Sequence, residues 1–391
     1  MIKGILSLKV FILLSFMIIF IFKCILIIAL ILTIGAIAFL NSAVFGGSPD
    51  GQTLQAMQKS PNYQNGKFEN LQPLVVDGSG AGVSEDERLN LMDFIINIFY
   101  PADGKHPKES LPTLPLTKNI PLQNNSFTWL GHSTILFKMG DKTIITDPVF
   151  YRVSPIPLGG KPYSMTHPPK TDELPNLDIV ILSHDHYDHL DMKAIQEIHL
   201  KAQKFLVPLG VKAHLVKWGV DKNKIQEFAW HDTQNLDGLE FIFVPSRHYG
   251  GRKLSTRSQT LWGGWVVKSV DFALYFTGDG GFGSHFADIT KTYAPDDGFD
   301  LMFVENGAYN VNWADVHMFP EQSVQAVKDA KAKLALPIHW GKYDLAYHKW
   351  DEPAERFLAE ATKQNVAFIT PKIGQNFTIN DQTTPWWKEV Q

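Results

Sequence analysis

The hydrophobic pattern changes character three times along the chain. Residues 10–22 (VFILLSFMIIFIF) and 24–40 (CILIIALILTIGAIAFL) are apolar apart from Ser15 and Thr33, and only Lys23 separates them. A helix needs about 20 apolar residues to cross a bilayer. One tilted helix over residues 18–40, or a longer one with Lys23 snorkelling to the interface, is therefore expected. Two short spans in a hairpin are the alternative. A cleaved signal peptide fits less well, because its apolar core normally runs about 7–15 residues. Over 45–125 the pattern dissolves into Gly, Pro, Asn and Ser, and only Leu89 to Tyr100 reads as a helix. From 126 onward, short apolar runs bounded by Gly and His/Asp turns alternate with helical stretches. The expected strands are 126–137, 142–146, 178–183, 204–207, 240–245, 261–268, 272–277, 300–305, 334–338 and 366–370. The expected helices are 191–203, 210–218, 320–333 and 353–364, with Pro320 at the start of the third. Strands in two groups with helices after them imply two packed sheets covered outside by helices.

Composition adds limits. At 45% hydrophobic residues the chain can build a large core. Its formal charge is -4, and setting aside Lys3, Lys9 and Lys23 leaves 33 basic against 40 acidic residues, a net of -7. A nucleic-acid partner normally meets a basic surface, so that class is disfavoured. Cys24 is the one cysteine, which excludes an intramolecular disulfide and any cysteine-based metal site in the remainder. Lys3 and Lys9, with no acid nearby, place the start of the chain in the cytoplasm and residues 41–391 on the far, extracytoplasmic (periplasmic) side. The expected organisation is a membrane anchor over 1–44, a linker and wrap over 45–125, and a main domain over 126–391. Oligomeric state is not readable.

The densest chemistry is Ser183-His184-Asp185-His186-Tyr187-Asp188-His189-Leu190-Asp191. Neutral imidazole and carboxylate are good ligands for zinc and similar ions. The segment follows the apolar run 177–182, so the ligands stand where a buried strand meets a loop. Other apolar runs also end on potential ligands: His248, Asp279 between Gly278 and Gly280, and His339. Seven ligands suit two metals. His184 and His186 alternate on an extended segment and point the same way; with His248 they can hold one ion. Asp188, His189 and His339 can hold the other, and Asp279 can bridge. A position on each ion then remains for a shared hydroxide, whose pKa two cations lower.

These residues resemble the metallo-β-lactamase superfamily of binuclear hydrolases. Within it the chain is most similar to the N-acylphosphatidylethanolamine-hydrolysing phospholipase D family and its bacterial membrane-associated relatives. The resemblance runs from Phe127 to Phe377 and includes Trp129-Leu130-Gly131-His132-Ser133-Thr134, Thr146-Asp147-Pro148-Val149-Phe150, Leu261-Trp262-Gly263-Gly264-Trp265, Thr277 to Phe282, and Ile338-His339-Trp340-Gly341. It implies a four-layer αββα metallo-β-lactamase sandwich, preceded here by an N-terminal transmembrane helix, and two Zn2+ with the ligand division above. It also implies that His317 stands near the metals, positioning substrate or passing a proton to the leaving oxygen, so that the catalytic set is Asp188, Asp279 and His317. His132 is expected to orient a loop, Asp147 to hold a ligand histidine, and Tyr187 and Asp185 to point away.

The activity so implied is a phospholipase D-type phosphodiesterase: attack on phosphorus, with N-acylethanolamine leaving and phosphatidic acid remaining. A membrane anchor would hold such an enzyme at its phospholipid substrate. Phe150, Tyr151 and Tyr163 are candidates for contacting acyl chains, with core packing as the bland role. Lipid contacts depend on residues before 125 and on loops such as 151–170 and 249–260, where the resemblance is weaker. The alternatives are a lactone, thioester or amide hydrolase of the same fold, and a non-catalytic membrane-anchored zinc protein.

Overall fold

A computed structural model describes residues 2–116, 123–156 and 159–390. Two compact units result, Met1–Gly46 and Gly47–Gln391. The first is essentially one helix, α1 (Ile2–Leu40). It runs unbroken past Lys23, so the hairpin alternative finds no turn there. Its segment Leu13–Leu40 has 28 residues and is long and apolar enough to cross a membrane. At about 1.5 Å per residue it exceeds the roughly 30 Å of bilayer hydrocarbon, which tilt accommodates.

In the second unit, α2 (Gly51–Lys59), a small hairpin of β1 (Tyr63–Gln64) and β2 (Lys67–Phe68), and α3 (Leu91–Phe99) precede the sandwich. Asn90 opens α3 with a capping box, its side chain accepting the Met92 and Asp93 amides while Asp93 accepts the Asn90 amide. The sandwich follows as β3 (Ser126–Trp129), β4 (Ile135–Met139), β5 (Lys142–Thr146), β6 (Leu177–Ile181), α4 (Met192–Ile198), β7 (Ala202–Pro208), α5 (Lys212–Lys217) and β8 (Ile225–Phe228). It continues through β9 (Thr233–Leu236), β10 (Leu239–Val244), β11 (Gly264–Lys268), β12 (Ala273–Phe276), α6 (His285–Tyr293) and β13 (Leu301–Glu305). It ends with α7 (Pro320–Asp329), β14 (Ala335–Ile338), α8 (Glu352–Lys363) and β15 (Asn376–Thr378). One sheet has the order β15-β3-β4-β5-β6-β7-β8 and the other β14-β13-β12-β11-β10-β9. Pairing is parallel from β5 to β8 and from β12 to β14, and antiparallel elsewhere in both sheets.

Side-chain alternation explains the four layers. On β4 and β10, Ile135, Phe137, Phe241 and Phe243 enter the core between the sheets. Leu136 faces the other way, into the layer with Ile195 and Leu215 of α4 and α5. Ile242 and Val244 face α6, α7 and α8, where Phe286, Val327 and Phe357 pack. Both faces of each sheet are covered, so the strands read as continuous apolar runs.

Some boundaries differ from the expected ones. The run 126–137 is two strands, because Gly131 and His132 adopt φ of 86° and 56° and turn the chain between β3 and β4. A side chain at 131 would meet Lys342 Cδ at 2.9 Å. The helix expected over 191–203 ends at Ile198, and α6, β8 and β9 carry too few regularly spaced apolar residues to stand out in the pattern. Of 366–370 only a single bridge forms, Phe368 to Ala335.

Candidate metal centre

Parallel strands deliver their C-terminal ends to one edge, the usual place for chemistry in α/β sheets. Beyond β6, the Ser183 amide donates to Asp147 Oδ1 at 2.7 Å. His184 and His186 then face the cleft while Asp185 turns behind. Asp185 accepts from Thr260 Oγ1 at 2.9 Å and from the Gly251 amide at 2.6 Å, and lies 3.0 Å from His214 Nε2. Burial opposes its charge, but His214 and the amide hold its carboxyl well below the usual range. The Leu190 amide bonds His186 O at 2.8 Å, closing the turn that carries Asp188 and His189. Asp191 caps α4 through the Lys193 and Ala194 amides. Tyr187 also turns away, donating to Arg252 O.

All seven expected ligands converge. Nitrogens of His184, His186 and His248 lie within 4.8 Å of one another, and so do ligand atoms of His132, Asp188, His189 and His339. Asp279 stands between the groups. Its Oδ2 is 3.1 Å from His189 Nε2, 3.0 Å from His339 Nε2, and 3.9 Å from both His184 Nε2 and His248 Nε2. Gly278 brings this backbone close to both sheet edges: its φ is 61°, and a Cβ there would lie 2.8 Å from Ser183 Cβ beyond β6 and 2.4 Å from Gly263 O before β11. His317 sits at the cleft between His248 and His339, with ring centroids 5.2 and 5.3 Å away.

The electrostatics divide the histidines. Burial pulls His184 and His248 well below the usual imidazole range and His186 down to about 4, leaving neutral lone pairs. Burial acts on His339 too, but Asp279 and Asp188 outweigh it and push it up to about 10. His189 is raised for the same reason. Burial alone would raise Asp188 and Asp279; their histidine neighbours pull both well below the usual carboxylate range. Nε2 of His184, His189 and His339 and Oδ1 of Asp279 are buried without a hydrogen-bond partner among the described residues. Buried polar atoms are nearly always satisfied. Four orphans converging from imidazole and carboxylate fit a divalent cation in chemistry and geometry.

Supporting residues complete the picture. Asp147, expected to hold a ligand histidine, places Oδ2 2.7 Å from His189 Nδ1 and accepts Ser183 Oγ at 2.5 Å. His132 does orient a loop, its carbonyl accepting the Trp129 indole and the His339 amide. It also reaches the cluster, with Nε2 3.1 Å from Asp188 Oδ2. Sequence reasoning missed Glu305. This buried carboxylate ends β13 and lies 3.0 Å from His317 Nδ1 while accepting the Met318 amide. An acid closing an apolar strand, as at Asp279, was its available signal. Asn70 was also missed: its amide donates to His248 O at 2.8 Å and accepts the His248 amide at 3.0 Å. Of the aromatic candidates, Phe150 is buried in the core layer under α4 and α5, which is packing and not lipid contact. Tyr151 donates to Glu197. Tyr163 lines an apolar groove of about 990 Å³ that shares Trp313 and Leu345 with the metal cleft, itself about 260 Å³.

Residues 142–340 match the beta-lactamase superfamily domain. The uncharacterised protein Rv0906 of Mycobacterium tuberculosis is 36% identical over 350 residues, covering 87% of this chain and 91% of that protein. The N-acyl-phosphatidylethanolamine-hydrolyzing phospholipase D 1 of Caenorhabditis elegans is 31% identical over 340 residues, covering 82% of this chain and 94% of the relative. Among solved structures, a possible metal-dependent hydrolase from Veillonella parvula shares the fold with a TM-score of 0.52 at 14% identity, covering 66% of this chain and all (100%) of that one. The chain belongs to the metallo-β-lactamase superfamily, as a metallo-hydrolase with N-acylphosphatidylethanolamine-hydrolysing phospholipase D homologues.

Proposed function

We propose that this protein is a binuclear zinc hydrolase, a phospholipase D-type phosphodiesterase acting on N-acylphosphatidylethanolamine-like phospholipids. The observation that carries the reading is the arrangement of two ligand groups around the shared carboxylate of Asp279. His184, His186 and His248 would hold one ion, and Asp188, His189 and His339 the other, with Asp279 touching both. Bound there, the ions would supply Lewis-acid stabilisation of phosphoryl oxygens and an activated water.

The remaining steps belong to the chain. Glu305 takes the Nδ1 side of His317, which leaves Nε2 for the leaving alcohol oxygen. Asp147 and Ser183 orient His189. The apolar groove joined to the cleft at Trp313 and Leu345 gives acyl chains somewhere to lie. The apolar helix α1 would anchor the enzyme to the membrane that holds its substrate, and Lys3 and Lys9 favour an extracytoplasmic catalytic unit. A reporter fused after Gln391 that works only in the cytoplasm would contradict that orientation.

The test is turnover of purified zinc-loaded protein on N-acylphosphatidylethanolamine, plain phosphatidylethanolamine and a lactone panel, with metal counted alongside. Release of N-acylethanolamine with two zinc ions per chain is expected. Activity confined to lactones would move the reading to the carbonyl hydrolases. Unchanged turnover in Asp279→Asn would remove the catalytic assignment of that carboxylate.

A further inference from the structure

Three carboxylates and three histidines line the metal cleft. The carboxylates are Asp77, Asp188 and Asp279, and among the described lining residues there is no lysine or arginine. Arg257 stands behind two of the lining residues, Tyr249 and Asp77. Its guanidinium lies 3.7 Å over the ring of Tyr249. Tyr249 lines the cleft and stacks on His248, with centroids 4.9 Å apart and planes at 22°. Arg257 Nη2 donates to Asp77 Oδ2 at 2.9 Å and to Asp77 O at 3.1 Å. Its Nε and Nη1 make no hydrogen bond among the described residues, and the side chain is 35% exposed.

We propose that Arg257 is the anion-recognition residue of the metal cleft and that Asp77 is its resident counter-ion, exchanged for phosphate oxygens when an anionic substrate enters. The inference rests on the phosphodiester reading, since a neutral substrate gives a cation there nothing to hold. A guanidinium presents a planar fork of donors that matches phosphate oxygens in pairs. Here the fork is already posed. The Tyr249 face fixes its plane by cation–π attraction, and Asp77 fixes its reach, so less side-chain freedom is lost on binding. A carboxylate facing the cleft would otherwise repel a phosphodiester; pairing with Arg257 neutralises it until the substrate competes. Asp77 belongs to the segment before the sandwich, which also sends Asn70 to the His248 backbone. That segment would therefore set substrate charge preference as well as ligand position.

The experiment measures inorganic phosphate binding by calorimetry to the zinc-loaded full-length protein in detergent, as wild type, Arg257→Gln, Arg257→Lys and Asp77→Asn. Zinc content and thermal melting are checked for each. Loss of one charge-assisted donor set weakens phosphate about tenfold in Arg257→Gln, and Arg257→Lys recovers part of it. Asp77→Asn tightens phosphate, a change that damage to the fold does not produce. Wild-type protein that does not bind phosphate, Arg257→Gln binding it as tightly as wild type, or weaker binding in Asp77→Asn overturns the proposal. Lactone-only turnover, with phosphate affinity still falling in Arg257→Gln, would count against the phosphodiester reading while supporting the Arg257 assignment.

Discussion

Replacing Asp147 by Asn should weaken one ion of the proposed pair while leaving the fold nearly intact. The carboxylate is fully buried, with Oδ2 2.7 Å from His189 Nδ1 and 2.5 Å from Ser183 Oγ, and Oδ1 accepting the Ser183 amide at 2.7 Å. Asn has the same shape, and its Oδ1 can keep the Ser183 amide bond. Its NH2 then faces His189 Nδ1, where a carboxylate had accepted a proton. Two donors cannot share that contact, so His189 must move its proton to Nε2. Nε2 is the nitrogen that faces Asp279 at 3.1 Å and the proposed ion. Losing an orienting partner typically costs about 10–100-fold in metal affinity, or about 1.4–2.7 kcal/mol. The enforced wrong tautomer puts this substitution near the upper end, at about 100-fold for one of the two proposed ions. Chelator competition resolves the two affinities, and a thermal melt in excess zinc checks the fold. If Asp147→Asn holds both ions within about threefold of wild type, below the usual floor for such partners, the claim that Asp147 sets the His189 tautomer is wrong.

Other outcomes follow from the same geometry. His317→Asn should lower kcat by about 10²–10⁴-fold, the range for a lost general acid, with KM little changed; Glu305→Gln should give a smaller fall in the same parameter and shift the kcat–pH profile, and a pure KM effect in steady-state kinetics would refute both roles. In metal-free protein His339 carries a proton up to about pH 10, because Asp279 and Asp188 outweigh its burial. Metal uptake at neutral pH must therefore release protons and tighten about tenfold per pH unit for each one displaced, and calorimetry in buffers of different ionisation enthalpy should detect the release. The same raised pKa stabilises the metal-free fold fully below the ordinary histidine value of 6.5, and that contribution is lost as pH climbs through about 10; a metal-free stability that rises over this window would contradict the ion pairing. Trp386 is fully buried and stacks on Trp340, the residue after His339, with centroids 5.6 Å apart and planes at 18°. Trp386→Ala should cost about 3–5 kcal/mol in denaturant unfolding.

The most legible part of the centre was local. His184, His186, Asp188 and His189 lie within six residues, and period-2 alternation alone separates His184 and His186 from Asp185. The two covered sheets were legible for a related reason: strands buried on both faces leave continuous apolar runs such as those ending at Ile181 and Glu305. Legibility failed where signals were short or mixed. A nine-residue α6 and a four-residue β9 carry too few regularly spaced apolar positions for either period to register. The turn at Gly131-His132 fell inside the run 126–137 that was expected as one strand.

The residue types along the chain thus pointed to a metal site built from histidine and aspartate and to a long apolar helix ahead of the body. Tertiary structure decided which of those residues meet. Asp279 lies between two ligand groups only because β12 and β6 end at the same edge of facing sheets. Glu305 reaches His317, Asn70 brackets the backbone of His248 from 178 residues away, and Arg257 settles on Asp77 across 180. Such contacts depend on strand order and on how two sheets stack. Those follow from the summed burial of many side chains, and no local run of residues encodes them.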